Sequence, residues 1–250
     1  MILITLLKRE FFQLLRSGHG IIPVFLSLAG ANVLLVRFLM KAEGTAETLP
    51  ALWGLATAFG LPFLAAVAAS RGFTQDRETG MMRLMFSTPV RARWWVLGKV
   101  CAAWCLCLLY LFGMGISCYA LVRWLLPVDA QLFATPMGFW LATGILILQA
   151  FLWCSIGTFV SLFSRSSAST FLFSLVSCLF APPVVILMMA FWHSNMGIQW
   201  PWFPLQSMVY DCACGFVDVR MAIGCVTVSV VLIYASGIVF NALRLCATER

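Results

Sequence analysis

The side chains able to do chemistry in this 250-residue chain are few, and most of them are gathered in one place. Residues 71–99 hold six of the sixteen basic residues (Arg71, Arg77, Arg83, Arg91, Arg93 and Lys99) and two of the nine acidic ones, Asp76 and Glu78. Apolar segments long enough to cross a bilayer lie on both sides of this island. A charged loop of this length between membrane spans reads as a place where something docks, not as a turn. Elsewhere the reactive types are scattered. His19 and His193 fall on opposite faces of the six-span arrangement derived below, so they cannot share a metal. No GxxxxGK[ST] loop occurs and no GxGxxG follows a strand, so the chain has no phosphate cradle of its own. No pair of acids lies within an apolar run, as an intramembrane enzyme or an ion-coupled carrier would need. Asn32, Gln149 and Asn241 are the main strongly polar side chains inside apolar runs. Such groups bond across helices or line a substrate path, and both remain open.

The ten cysteines are not a disulfide framework. Cys101, Cys105, Cys107, Cys154 and Cys178 sit within apolar runs, where cysteine acts as a small hydrophobe. Cys212 and Cys214 fall in a loop. Packing, a disulfide and a metal contact are all open there.

The chain is 62% hydrophobic and 10% charged, with a mean hydropathy of +0.99. Soluble domains carry about 25% charged residues. The apolar residues come in runs of roughly twenty, the length a helix needs to cross a hydrocarbon core about 30 Å thick. A β-barrel would alternate apolar and polar residues over strands of about ten. The fold class is therefore an all-α polytopic membrane protein. The net charge of +7 comes from residues flanking the spans, so orientation and anionic lipid account for it. No arginine-rich face interleaved with aromatics is left for nucleic acid.

These residues require six transmembrane helices, an N-terminal amphipathic elbow helix and a short helix within the island. Residues 1–20 form the elbow. Thr5, Arg9, Gln13 and Arg16 share one face, with Leu3, Leu7, Phe11 and Leu14 opposite. Glu10 lies on the border of the apolar face. It either snorkels or pairs locally, or it meets a cation of the 71–99 loop and ties the two elements together. Spans are expected at about 21–39, 51–70, 96–124, 137–163, 169–192 and 220–242. Residues 71–95 form the charged loop, 193–219 a long outer loop and 244–250 a tail. Small residues Ser155, Gly157 and Ser161 mark a packing face of the fourth span. Pro182 and Pro183 must kink the fifth. Twelve Lys and Arg residues fall on the side holding both termini, the island and residues 164–168, and four fall on the other. The positive-inside rule makes the first side cytoplasmic.

Within the island a helix is expected from about 77 to 86. Thr74 and Asp76 are its N-cap candidates, Glu78 suits its positive end and Pro89 stops it. This helix places Met81, Leu84 and Met85 together, with Arg77 and Arg83 elsewhere on its surface. It either lies on lipid headgroups or is a lever contacted by a soluble motor.

Asp76, Glu78 and Gly80, then Leu84, Pro89 and Val90, then Gly98 and Lys99, resemble the signature loop of the ABC type-2 permeases. That pattern is roughly E-x-x-x-G-T-x-E-x-L-L-x-x-P-[VI], followed by a hydrophobic-Gly-Lys step into the third span. Lys8, Arg9 and Glu10 match the family's usual start. Met81 stands where the family has Thr, and Arg83 where it has Glu. The short form is most similar to permeases of gliding-motility and nitrous-oxide-reductase-maturation type systems. The resemblance implies a half-transporter of a bacterial inner membrane. It pairs with a second permease chain, identical or a paralogue, and with ABC ATP-binding subunits that carry the ATP and magnesium. The chain itself would hold no cofactor and catalyse nothing. The helix after the second span would be the coupling helix, with Arg77, Glu78, Gly80, Met81, Arg83, Leu84 and Met85 at the ATPase contact and Glu10 in support. The first, second and fifth spans would form the dimer face and translocation path. The alternative is a membrane assembly or scaffold protein that recruits a cytoplasmic partner without transport. The sequence names no substrate. Twelve methionines and ten cysteines suit helix packing in lipid as well as they suit a soft metal.

Overall fold

The computed structural model describes residues 2–16, 18–41, 49–88, 90–125, 136–178, 204–217 and 219–248. Every regular element among them is a helix: α1 (Ile2–Arg16), α2 (Gly18–Lys41), α3 (Leu49–Ser70), α4 (Phe73–Glu78), α5 (Met81–Ser87), α6 (Ala92–Leu125), α7 (Pro136–Phe163), α8 (Ser167–Cys178), α9 (Pro204–Ala213) and α10 (Val219–Thr248). Helices satisfy their backbone groups internally, which the bilayer core demands of an apolar segment. Among the described residues α2, α3, α6, α7 and α10 are long and apolar enough to cross a membrane. The fifth expected span is described only in its first part, α8. Its remainder lies outside the described residues together with Pro182, Pro183 and His193, as do the 126–135 loop and Pro89.

The core is built around α3, which packs against α2, α6, α7 and α9. Small residues allow the close approach. A Cβ on Gly157 of α7 would lie 2.8 Å from Ala69 Cβ and 3.2 Å from the Ala65 carbonyl oxygen, so α7 can meet α3 only with glycine there. Tyr110 of α6 occupies the space a side chain at Gly60 would need, and its hydroxyl donates to the Thr57 carbonyl at 3.2 Å. Trp53 Nε1 donates to the Met114 carbonyl at 3.3 Å, and Trp104 Nε1 to that of Ile147 at 3.1 Å. These cross-helix bonds satisfy indole and phenol groups that the apolar core would otherwise strand.

Chain direction places the C-terminal ends of α3, α7 and α10 and the N-terminal ends of α2 and α6 at one end of the bundle, with α1, α4 and α5. Three boundaries differ from the sequence expectation. The island holds two helices, not one, because Gly80 adopts a left-handed φ of 75° that ends one helical run before the next. Thr74 and Asp76 lie inside α4 and do not cap it; its N-cap is Gly72, with no side-chain bond. The last helix runs to Thr248, not 242, because Arg244 is held by contacts described below.

Candidate functional site

Lys99 is the centre of the charged end. It sits one residue past Gly98, in the first turns of α6, and is 5% exposed. Its Nζ lies 2.8 Å from Glu10 Oε2 of α1 and 2.6 Å from Asp76 Oδ2 of α4. Glu10 and Asp76 are themselves 8% and 5% exposed. Asp76 Oδ2 has no further hydrogen-bond partner among the described residues. Nζ also stands 5.2 Å from the centre of the Phe73 ring, a cation–π contact in a water-poor setting. Of the two readings of Glu10, the pairing with a cation of the loop is the one the structure adopts. Gly98 faces Leu6 of α1, where a Cβ would lie 3.4 Å from Leu6 Cβ, so α1 packs closely on this turn of α6. Arg9 over the Trp95 ring, at 5.9 Å, adds a second tie between α1 and α6. A buried ammonium or carboxylate is tolerated only when paired, so these three residues fix three elements relative to one another.

Apart from the Asp76 contact with Lys99, four residues of α4 reach α7, α8 and α10. Phe73 stacks on Phe240 of α10, with ring centres 5.2 Å apart, and Phe240 meets Phe86 of α5 at 5.3 Å. Thr74 Oγ1 lies 3.2 Å from the Ser161 carbonyl oxygen of α7 and 2.7 Å from Thr170 Oγ1 of α8. Arg77 donates to the carbonyls of Leu162 at 2.8 Å and Ser164 at 2.9 Å. Glu78 accepts from Ser167 N and Ser167 Oγ, both at 2.9 Å. From the other side, Arg244 of α10 donates to the carbonyls of Thr88 at 2.9 Å and Val90 at 3.4 Å.

The second helix of the pair faces outward. On α5, Met82 and Met85 are buried, Met81 is half-buried, and Arg83 and Leu84 are exposed, Leu84 by 62%. The expected grouping of Met81, Leu84 and Met85 is therefore divided: Met85 points into the core and Leu84 away from it. Gly80 is exposed at the α4–α5 junction. Arg91, Arg93 and Arg165 are exposed as well.

Asn32, Gln149 and Asn241 lie on three different helices. Asn32 Nδ2 donates to the Leu28 carbonyl of its own helix at 2.9 Å. Gln149 is buried in the middle of α7. Asn241 is exposed, one residue past Phe240, and so lies at the charged end and not at mid-membrane. Cys212 is buried and Cys214 is exposed. Among the described residues no three His, Cys, Asp or Glu side chains gather to hold a metal.

Sequence reasoning missed Lys99 as a ligand of two acids, and it missed Thr74, Ser167 and Arg244 as anchors. A signal for Lys99 was present: a lysine within an apolar run must find a counter-charge. The others bond backbone carbonyls, a hydroxyl or the Glu78 carboxylate, and nothing in residue type announces that.

The fold and the charged end define a multi-pass, all-α membrane protein whose membrane helices meet in a common polar junction. The chain belongs to the ABC-2 transporter family: the family model described as ABC-2 family transporter protein matches residues 4–202, from α1 past the end of α8. No curated protein matches the chain.

Proposed function

We propose that this chain is the permease subunit of an ABC exporter in a bacterial inner membrane. It turns ATP hydrolysis on a separate ABC ATP-binding subunit into substrate export or mechanical work. Both termini, α1, α4 and α5 face the cytoplasm, where the basic residues concentrate. Two permease chains, identical or paralogous, form the membrane unit, and α1 rests in the lipid interface. α3 is enclosed by its own chain, while α2, α8 and α10 carry open apolar faces available for that pairing. ATP and magnesium bind the partner, and this chain is not an enzyme.

The observation that carries the reading is the division of the island. Five residues of α4, Phe73, Thr74, Asp76, Arg77 and Glu78, are fastened to the surrounding helices, while α5 beside them offers Arg83 and Leu84 to the solvent. A lever needs both a fixed part and a free face. Met81, Gly80 and the buried Met85 shape that face; Arg77, Glu78 and Glu10 hold it to the bundle. An arginine where the family pattern has a glutamate calls for an acidic complement on the partner. The test is co-expression with the ATP-binding subunit. The unsubstituted pair should co-purify and hydrolyse ATP, and Arg83→Glu should lose both while remaining monodisperse. Undiminished co-purification and hydrolysis with Arg83→Glu would count against the docking face.

A further inference from the structure

We infer that Arg77 and Glu78 are positioning residues that carry the movement of the coupling element into the α7–α8 hairpin, and are not themselves contacts of the ATP-binding subunit. This rests on the coupling role proposed above. The two neighbours address helix ends of opposite polarity. Arg77 covers the C-terminal end of α7, at the carbonyls of Leu162 and of Ser164 just beyond it, and Glu78 covers the first amide and hydroxyl of α8, at Ser167. A cation at a helix C-terminus and a carboxylate at an N-terminus are the signs the helix dipoles favour. Each side chain makes two bonds, so each fixes a direction as well as a distance. Thr74 adds a third attachment, to Ser161 and Thr170. The hairpin turn at 164–166 cannot shift against α4 without breaking this set.

The far end of α7 shows where the movement goes. α7 is one continuous helix from Phe163 back to Pro136, roughly 40 Å at 1.5 Å per residue. At that end Gly138 lies against the Ala213 carbonyl so closely that a Cβ would overlap it. Ala213 ends α9, and the next residue is the exposed Cys214. A displacement of α4 therefore reaches Cys214 through one rigid rod with a tight contact at each end. Packed elements of this kind shift as bodies and do not deform continuously.

The test follows the reaction of Cys214 with a maleimide in the full complex with its ATP-binding subunit, in lipid nanodiscs. Cys246, the other exposed cysteine, is removed as Cys246→Ser. ATP should change the rate. Glu78→Ala should shrink that change about fivefold, the usual worth of one helix cap, with the ATP-binding subunit still bound. Ser167→Ala removes one of the two bonds and should reproduce part of the loss. Ser167→Ala added to Glu78→Ala should do nothing more, because the pair acts as one unit. Arg77→Lys should keep more of the response than Arg77→Ala. A full response in Ser167→Ala, or losses that multiply in the double variant, would overturn the clip. So would loss of the ATP-binding subunit from Glu78→Ala, by making Glu78 a direct contact. No ATP-dependent change in the unsubstituted complex would overturn the coupling reading itself.

Discussion

Lys99 shows how one residue can decide the arrangement of three elements. Two carboxylates and one ammonium share a site nearly closed to water. Removing the ammonium leaves both acids buried without a counter-charge. Lys99→Met should therefore destabilise the chain by about 3–5 kcal/mol, read as a lowered thermal midpoint in detergent. The triple variant Glu10→Leu, Asp76→Leu, Lys99→Met removes every charge and should recover most of that loss. A triple variant as unstable as Lys99→Met alone would show that the cluster acts through something other than charge balance. The sequence made Glu10 conspicuous, because a carboxylate on the apolar border of an amphipathic helix needs an explanation. It did not identify the partner, because six cations in the island were equally available by type. The packing of α1 against α6, which brings Glu10 beside Lys99, selects the partner.

At the scale of elements, the decisive feature is the break between α4 and α5. Gly80 has a φ of 75°, a conformation that costs a side-chain-bearing residue about 1–2 kcal/mol. Gly80→Val should loosen the α4–α5 junction and raise amide exchange in both helices, whereas Gly80→Asn should be milder. Equal exchange in the two variants would mean that the angle is not what sets the junction. Arg244 holds the far side of α5 through the carbonyls of Thr88 and Val90. Arg244→Ala should free that segment, with faster exchange over 82–88 and little change in α7. The sequence showed that a helix follows the second span and that residues near 86–89 end it. It suggested a single helix because Thr74 and Asp76 look like capping residues and Glu78 suits the positive end of a helix that follows them. The structure uses all three for tertiary contacts, and a competition between local capping and tertiary bonding is invisible without the neighbours.

At the scale of the whole molecule, length and apolarity made the all-α membrane fold legible, since the bilayer restricts the choice to a few architectures. The ends of the helices were less legible, because α10 extends past its apolar run to place Arg244. The proposed orientation makes a direct prediction. A membrane-impermeant maleimide applied to intact cells should label Cys214 and spare Cys246, and opened membranes should expose both; the reverse pattern would invert the topology. The central claim is that the outward face of α5 is where the ATP-binding subunit docks. Its most direct test is a photo-crosslinking amino acid placed at position 84, with one at the exposed Phe12 of α1 as control, in the complex with the ATP-binding subunit. A crosslink to that subunit from position 84 and none from position 12 is the predicted result. Crosslinks to lipid alone from position 84, or equal capture from both positions, would contradict it.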